Sequence, residues 1–427
     1  MTDLARGYSR RLLDDELDEL MGGLAAISID GPKGVGKTAT ASQRSATILR
    51  LDDPTIAELV ANSPELLETA KRPVLLDEWQ RLPQAWDMVR RLVDEDSRGG
   101  QFLLTGSAVP SGVALHSGAG RIVSLRMRPL SLAERGLEKP TVRLRDLLNG
   151  VAPIRGGSGL TLPDYVHEIV ASGFPGIRSL TPRARRAQLD SYIDRIIERE
   201  FAEQGIRVRR PETLRGWMTA YGAATASTAS YATILDAATP GQPDKPAKTT
   251  TIAYRDILTQ LWLLDPVHAW SPVRNDLTRL AAAPKHFLAD PALSARLLGV
   301  DEEKLLAGAS QQVLGPQPGT LLGRLFEALV ALSLQSYAQA CEATLSHFRT
   351  RNGDREVDFI VHRGDGATVA IEVKLARTVD DGDVKHLLWL KRQLGERLSD
   401  MVVIHTGSTA YRRKDGVAVV PAALLGV

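Results

Sequence analysis

The chain has 427 residues, 43% of them apolar and 24% charged, a globular composition long enough for two to four domains. Its 53 basic and 51 acidic residues leave a formal charge of +2, so charge alone points to no polyanionic partner. The single cysteine, Cys341, excludes an internal disulfide framework and a cysteine-based zinc site, and the charged N-terminal stretch, with no apolar run of membrane-spanning length, gives the expectation of a cytoplasmic protein with no membrane partner.

Residues 24–128 alternate short apolar runs with stretches of helical spacing. "LAAISID", "ATILRLD", "RPVLLDE", "GQFLLTGS" and "RIVSLRM" predict buried strands, and "TIAELVANSPELLETAKR" predicts helix between two of them. The alternation predicts a parallel sheet covered by helices, an α/β fold.

"GPKGVGKT" follows the first strand and precedes a helix-compatible run. Its residues are Gly31, Pro32, Lys33, Gly34, Val35, Gly36, Lys37 and Thr38, in G-x-x-x-x-G-K-T spacing. Glycines let backbone N–H groups curl around a phosphate, and the helix N-terminus adds positive potential. Lys37 then reaches the β and γ phosphates, and the Thr38 hydroxyl ligates Mg2+. Val74, Leu75 and Leu76 form a strand that ends at Asp77, placed to hold Mg2+ through water. Glu78 is placed to orient and deprotonate the attacking water. Thr105 and Ser107, at the end of the "FLLTGS" strand, are candidate γ-phosphate sensors, with a plain turn as the competing explanation. Arg121 leads the candidates for an arginine at the transition state, with Arg126 and Arg128 behind it; a surface salt bridge competes for each.

From about 130 to 195 the spacing is mostly helical, and from about 196 to 300 short helices continue, broken by the flexible "ATPGQPDKPAKTTT". The arginine-rich stretch Arg183 to Arg215 reads as a solvated helix face, with DNA-backbone contact as the alternative. The segment "TASTASYATILDA" has no lysine or arginine, which favours domain contact over base readout. Lys285 and Asp290 in "PKHFLADPAL" are expected to form a structural salt bridge at a strand end.

A Gly/Pro-rich linker, "VLGPQPGTLLG", precedes a last module of helix, strands, helix and strand. In "REVDFIV", period two sets Val357, Phe359 and Val361 opposite Glu356 and Asp358. In "VAIEVKL" it sets Val369, Ile371, Val373 and Leu375 opposite Glu372 and Lys374. Two acids around a divalent ion with a lysine alongside can activate water and neutralise a scissile phosphate. Asp358 and Glu372 share a face only if the intervening loop is odd. A three-residue loop at Gly364–Gly366 satisfies this, whereas a two-residue turn would pair Asp358 with Val373. The pattern resembles the Asp…(Asp/Glu)-x-Lys signature of restriction-endonuclease-like nucleases. That resemblance implies a further metal ligand on the first helix, for which Glu327 is placed.

"GPKGVGKT", "VLLDEWQ", "FLLTGS", "GRIVSLRMRPLSLAE", "SGFPG", "YIDRIIEREF" and "KHFLADPAL" occur in one order. In this the chain resembles prokaryotic AAA-type ATPases that carry an uncharacterised C-terminal domain. The resemblance implies a P-loop ATPase domain over 1–135, a helical lid region over 136–195, a winged-helix-like domain over 196–304 and a restriction-endonuclease-like module over 305–427. It implies ATP and Mg2+ as ligands, Asp77 as the Walker-B acid with Glu78 after it, and Arg121 at the family's arginine position. Where the family has two glycines before Phe-Pro, this chain has Ser172–Gly173. The expected function is ATP hydrolysis coupled to a metal-dependent nuclease-like module acting on DNA or RNA. The alternative is a nucleotide-switched interaction protein with an inactive module; a homo-oligomer stays open under both.

Overall fold

The computed structural model describes residues 7–108, 118–206, 208, 210–239, 248–271, 282–310, 320–350 and 353–427. Most of the loop and linker predicted around 240–247 and 313–319 lies outside them.

Five strands, β1 (Ala26–Asp30), β2 (Thr47–Arg50), β3 (Val74–Asp77), β4 (Phe102–Gly106) and β5 (Ile122–Arg126), form one parallel sheet in the order β2-β3-β4-β1-β5. Alternate side chains serve its two faces. Ile27, Ile29, Leu75, Leu103 and Leu125 enter one core, and Ala26, Val74, Leu76, Phe102 and Leu104 enter the other. Burial on both sides explains the near-continuous apolar runs. The register pairs Asp30 with Gly106 and Arg126, and Asp77 with Thr105. These strand ends are therefore level on one edge, where a parallel sheet presents its ligands.

The remaining strands are β6 (Val142–Arg143), β7 (Gly156–Gly157), β8 (His268–Ala269), β9 (Ala343–Arg349), β10 (Glu356–Arg363), β11 (Thr368–Lys374), β12 (Leu398–His405), β13 (Thr409–Arg412), β14 (Ala418–Pro421) and β15 (Leu425–Gly426). Eight of them make a second, mixed sheet in the order β7-β13-β14-β12-β11-β10-β9-β8, and β15 pairs with β6. The helix Leu321–Ala340 packs with Phe359, Val361, Val369 and Ile371 on one face. On the other, Ile360, Ala370 and Val403 pack with Val384 and Leu387 of the helix Asp381–Leu394.

The expected helical lid, 136–195, divides. Val142, Leu144, Leu147 and Tyr165 pack in the core of the second sheet, whereas Leu189 and Ile193 pack with the first. In the middle region the helices Pro211–Ala223, Tyr231–Ala238 and Lys248–Gln260 precede two antiparallel bridges, Leu264↔Leu288 and Val267↔Lys285. Among the described residues no helix is long and apolar enough to cross a membrane.

Candidate functional site

The turn after β1 carries the phosphate-loop residues. Met127, just past β5, donates its N–H to Asp30 O at 2.7 Å. A β-carbon on Gly31 would lie 2.3 Å from Met127 O, so this position takes only glycine. Lys37 is buried, and its Nζ donates to Gly31 O at 2.7 Å and Pro32 O at 3.0 Å. Burial pulls its pKa down to about 8 against the opposing charges of Glu78, Asp30 and Asp77. The hydrogen-bond partners of this buried ammonium are two neutral carbonyls, and a phosphate anion would be a stronger, charge-assisted partner. Lys33 points elsewhere, to Glu200 at 2.6 Å.

Asp77 collects two hydroxyls on one oxygen. Thr38 Oγ1 donates to Asp77 Oδ1 at 2.7 Å, and Thr105 Oγ1 donates to the same atom at 2.5 Å. A hydroxyl and a carboxylate at the strand edge are the hard oxygen donors that Mg2+ takes, so these residues fit the expected ion. Glu78 has φ +54°, a left-handed conformation costly for a residue with a side chain. Its Oε2 accepts from Gln80 Nε2 and, at 3.4 Å, from Ser107 Oγ. Thr105 and Ser107 thus attach to the two acids. Gln80 was not foreseen; it sits two residues beyond Glu78 on a single helical turn, Trp79–Arg81.

The structure does not bring Arg121 to this edge. Arg121 immediately precedes Ile122, which pairs with Ala26 at the far end of β1, ~16 Å away by strand rise. It bonds Asp94 at 2.7 Å and is half exposed. Arg126 and Arg128 are at the right edge, but both grip the buried Asp265, at 2.9 and 2.7 Å. Exposed Arg195 and Arg199, read from sequence as part of a solvated face, line a cavity of about 220 Å³ with Lys33 and Ser107. A second cavity, about 610 Å³, lies beside Gly36 and Thr40, walled by Tyr8, Arg11 and Arg178. Arg11 is a buried tie that sequence reasoning missed. It donates to Val35 O, Arg128 O and Glu134.

In the second sheet, β10 and β11 pair Phe359 with Ile371 and Val361 with Val369. One further step sets Asp358 opposite Glu372. Arg363 N–H donates to Ala367 O at 3.0 Å across a three-residue loop, with Gly366 at φ +95°, so the odd loop is the one formed. Against β9, Val357 pairs with Phe348 and Ile360 with Ser346. Asp358 and Phe359 therefore both oppose His347 in a β-bulge. This corrects the simple alternation: Val357 packs beside Ile360, on the face opposite Phe359 and Val361.

The acids converge. Asp358 Oδ2 accepts Val373 N–H at 2.9 Å, and Lys374 Nζ lies 3.2 Å from Glu372 Oε2. Burial and the Asp358 charge push Glu372 well above the usual carboxylate range. Lys285 enters the same centre. Its fully buried Nζ is 2.8 Å from Glu327 Oε1, 3.1 Å from Asp358 Oδ1 and 3.6 Å from Glu356 Oε1. Burial would lower its pKa, but the three carboxylates raise it. The expected metal set of Glu327, Asp358 and Glu372 therefore does not fit a divalent ion in this arrangement. An ammonium lies against the oxygens that would ligate it, and among the described residues no group of acids, His or Cys is disposed to hold a metal.

The expected Lys285–Asp290 salt bridge is not formed either. Asp290 caps the helix Pro291–Leu297 by accepting Ala292 N–H, and it also accepts from Ser172 Oγ and Gly173 N–H. Ser172 has φ +69°, the conformation that a glycine there would take without strain.

Residues 25–135 match the family described as AAA domain. Residues 162–304 and 322–425 match two domains of unknown function, DUF8612 and DUF4143. Uncharacterized proteins of Mycobacterium tuberculosis and Mycobacterium bovis are each 26% identical over 404 residues, 93% of this chain and 80% of theirs. Among solved structures, the Walker-type ATPase PABY2304 of Pyrococcus abyssi is similar at 14% identity and TM-score 0.38, over 66% of this chain and 94% of that one. The ORC2 protein of Aeropyrum pernix, as ADPNP–ADP complexes, is similar at 15% identity and TM-score 0.30, over 72% and 98%. The sheet with its phosphate loop, at residues 25–135, is thus the part of the chain that is similar to AAA domains.

Proposed function

We propose that the chain binds ATP with Mg2+ at Gly31–Thr38, hydrolyses it, and uses the cycle to switch contacts between the ATPase sheet and the rest of the chain. The observation that carries this is the set of side chains at the sheet edge: Thr38 and Thr105 on Asp77, with Glu78 beside them held by Gln80 and Ser107. Loop N–H groups and Lys37 bind the phosphates. Thr38 and Asp77 would hold Mg2+, which would supply neutralisation of the charge developing on the phosphates. Glu78 Oε2 orients the attacking water and takes its proton. Gln80 and Ser107 keep that carboxylate aimed. Arg195 and Arg199 are placed to reach the phosphates within one chain, whereas Arg121 would serve only a neighbouring copy's site.

A second reading, cleavage of DNA or RNA by the C-terminal module, is favoured by the hairpin register that sets Asp358 opposite Glu372 with Lys374 alongside. Lys285 among those acids favours the switch. The experiment is a panel of linear and circular DNA, and RNA, with Mg2+ or Mn2+, with and without ATP. ATP turnover without cleavage is the expected result for the switch. Cleavage lost in Asp358→Ala and Lys374→Ala would establish the nuclease reading instead, and absence of ATP turnover would sink the switch.

A further inference from the structure

The C-terminal centre has the carboxylates of a cation site and a cation inside it, but that cation belongs to the chain. Lys285 offers three N–H donors and has three carboxylates within 3.6 Å, from Glu327, Asp358 and Glu356. Its Nζ lies over the Phe359 ring, 5.4 Å from the centroid, within cation–π range. The lysine is contributed by the middle region. Its backbone exchanges hydrogen bonds with Val267, N to O at 2.8 Å and O from N at 2.9 Å. Val267 is two residues from Asp265, which both Arg126 and Arg128 of the ATPase sheet grip.

We propose that Lys285 takes the place of a divalent metal ion in the acid centre, so that the site binds Mg2+ or Mn2+ only when this lysine is withdrawn. This deepens the reading of Asp358, Glu372 and Lys374 as one centre and is independent of ATP hydrolysis. The two cations need the same atoms. Glu327 Oε1 and Asp358 Oδ1 both point at Nζ, and a metal ligated by them would stand where the ammonium stands. Without the lysine, these two carboxylates and Glu356, whose Oε1 is 3.6 Å from Nζ, remain around one point. That is a hard, oxygen-rich set suited to Mg2+ or Mn2+. The centre also carries acids in excess of cations.

The test is Mn2+ titration of the nucleotide-free full chain, read by electron paramagnetic resonance of free Mn2+. Wild type and Lys285→Arg are expected to bind no Mn2+ through Asp358. Lys285→Met is expected to gain one bound ion per chain, lost again in Lys285→Met/Asp358→Asn. ATP turnover, measured on the same preparations, reports on the nucleotide site separately, so its failure would leave the Mn2+ count interpretable. Mn2+ binding to wild type that disappears in Asp358→Asn would overturn the proposal. So would a folded Lys285→Met chain that gains no site. Should Lys285→Met not fold, the comparison of wild type with Asp358→Asn still decides.

Discussion

Arg128, just past the last strand of the ATPase sheet, places its Nε 2.7 Å from Asp265 in the middle region. The same guanidinium reaches Gln335 and Gln339 on the long helix of the C-terminal module. One side chain thus touches all three parts of the chain, next in sequence to Met127, whose carbonyl abuts Gly31 of the phosphate loop.

Asp265→Asn is expected to destabilise the chain by about 3–5 kcal/mol, because it leaves two arginines buried without their counter-charge. Burial alone would raise the Asp265 pKa, but Arg126 and Arg128 hold it below the usual range. A depressed carboxylate pKa contributes stability that is present above the unfolded value, about 3.9, and lost as pH falls through the folded one. The gap between wild type and Asp265→Asn in urea midpoint should therefore be full at pH 7 and close below about pH 4. Equal midpoints at pH 7 would show that the cluster contributes nothing.

Glu78→Gln keeps the shape of the side chain and removes its basicity. Nucleotide affinity should persist while turnover falls about 10²–10⁴-fold. Phosphate release and binding of a fluorescent ATP analogue separate the two, and unchanged turnover would remove Glu78 from the chemistry. Gln80→Leu should lower kcat more than it changes KM, since Gln80 acts through Glu78.

Gly31→Ala forces a methyl group to 2.3 Å from Met127 O. A backbone carbonyl cannot rotate away as a side chain can, so a cost of about 1–3 kcal/mol is expected, together with loss of ATP binding. Thermal unfolding and equilibrium dialysis measure the two effects. An alanine variant with wild-type ATP affinity would mean that the loop shifts freely against β5.

Chelation of Mg2+ should abolish ATP turnover, and Thr38→Ala should raise the Mg2+ concentration needed for half-maximal rate. Turnover that survives chelation, or a Thr38→Ala titration superimposable on wild type, would take Thr38 and Asp77 out of the metal's shell.

Features that depend on near neighbours in the chain were legible before any coordinates. The phosphate loop needs only a strand, glycines and a helix start in sequence. That Asp358 and Glu372 need an odd loop to share a face follows from their being equidistant from residue 365, whereas the choice between a three-residue and a two-residue loop stayed open. The Lys285 contacts were not legible, because Glu327 lies 42 and Asp358 73 residues away in the chain. The bulge at Asp358 is hidden too, since an extra residue in one strand leaves no mark on a seven-residue apolar pattern. Asp290 was misread because an acid before proline, "DPAL", caps a helix as readily as it pairs with a lysine. Two-residue strands such as β6, β7 and β8 are too short to show alternation at all.

Those short strands set an order of events during synthesis. All five strands of the first sheet lie between residues 26 and 126, so they can pair while later residues, among them the Leu189 and Ile193 that cover one face, are still being made. The second sheet is bounded by β7 at one edge and β8 at the other, and β7 pairs only with β13. Residues 156–157 must therefore wait for residues 409–410, some 250 residues later, on the order of ten seconds or more at ordinary elongation rates. During that interval Val142, Leu144 and Tyr165 have no finished core to enter, so the stretch from 142 to 169 keeps apolar side chains in water until the last strands are made.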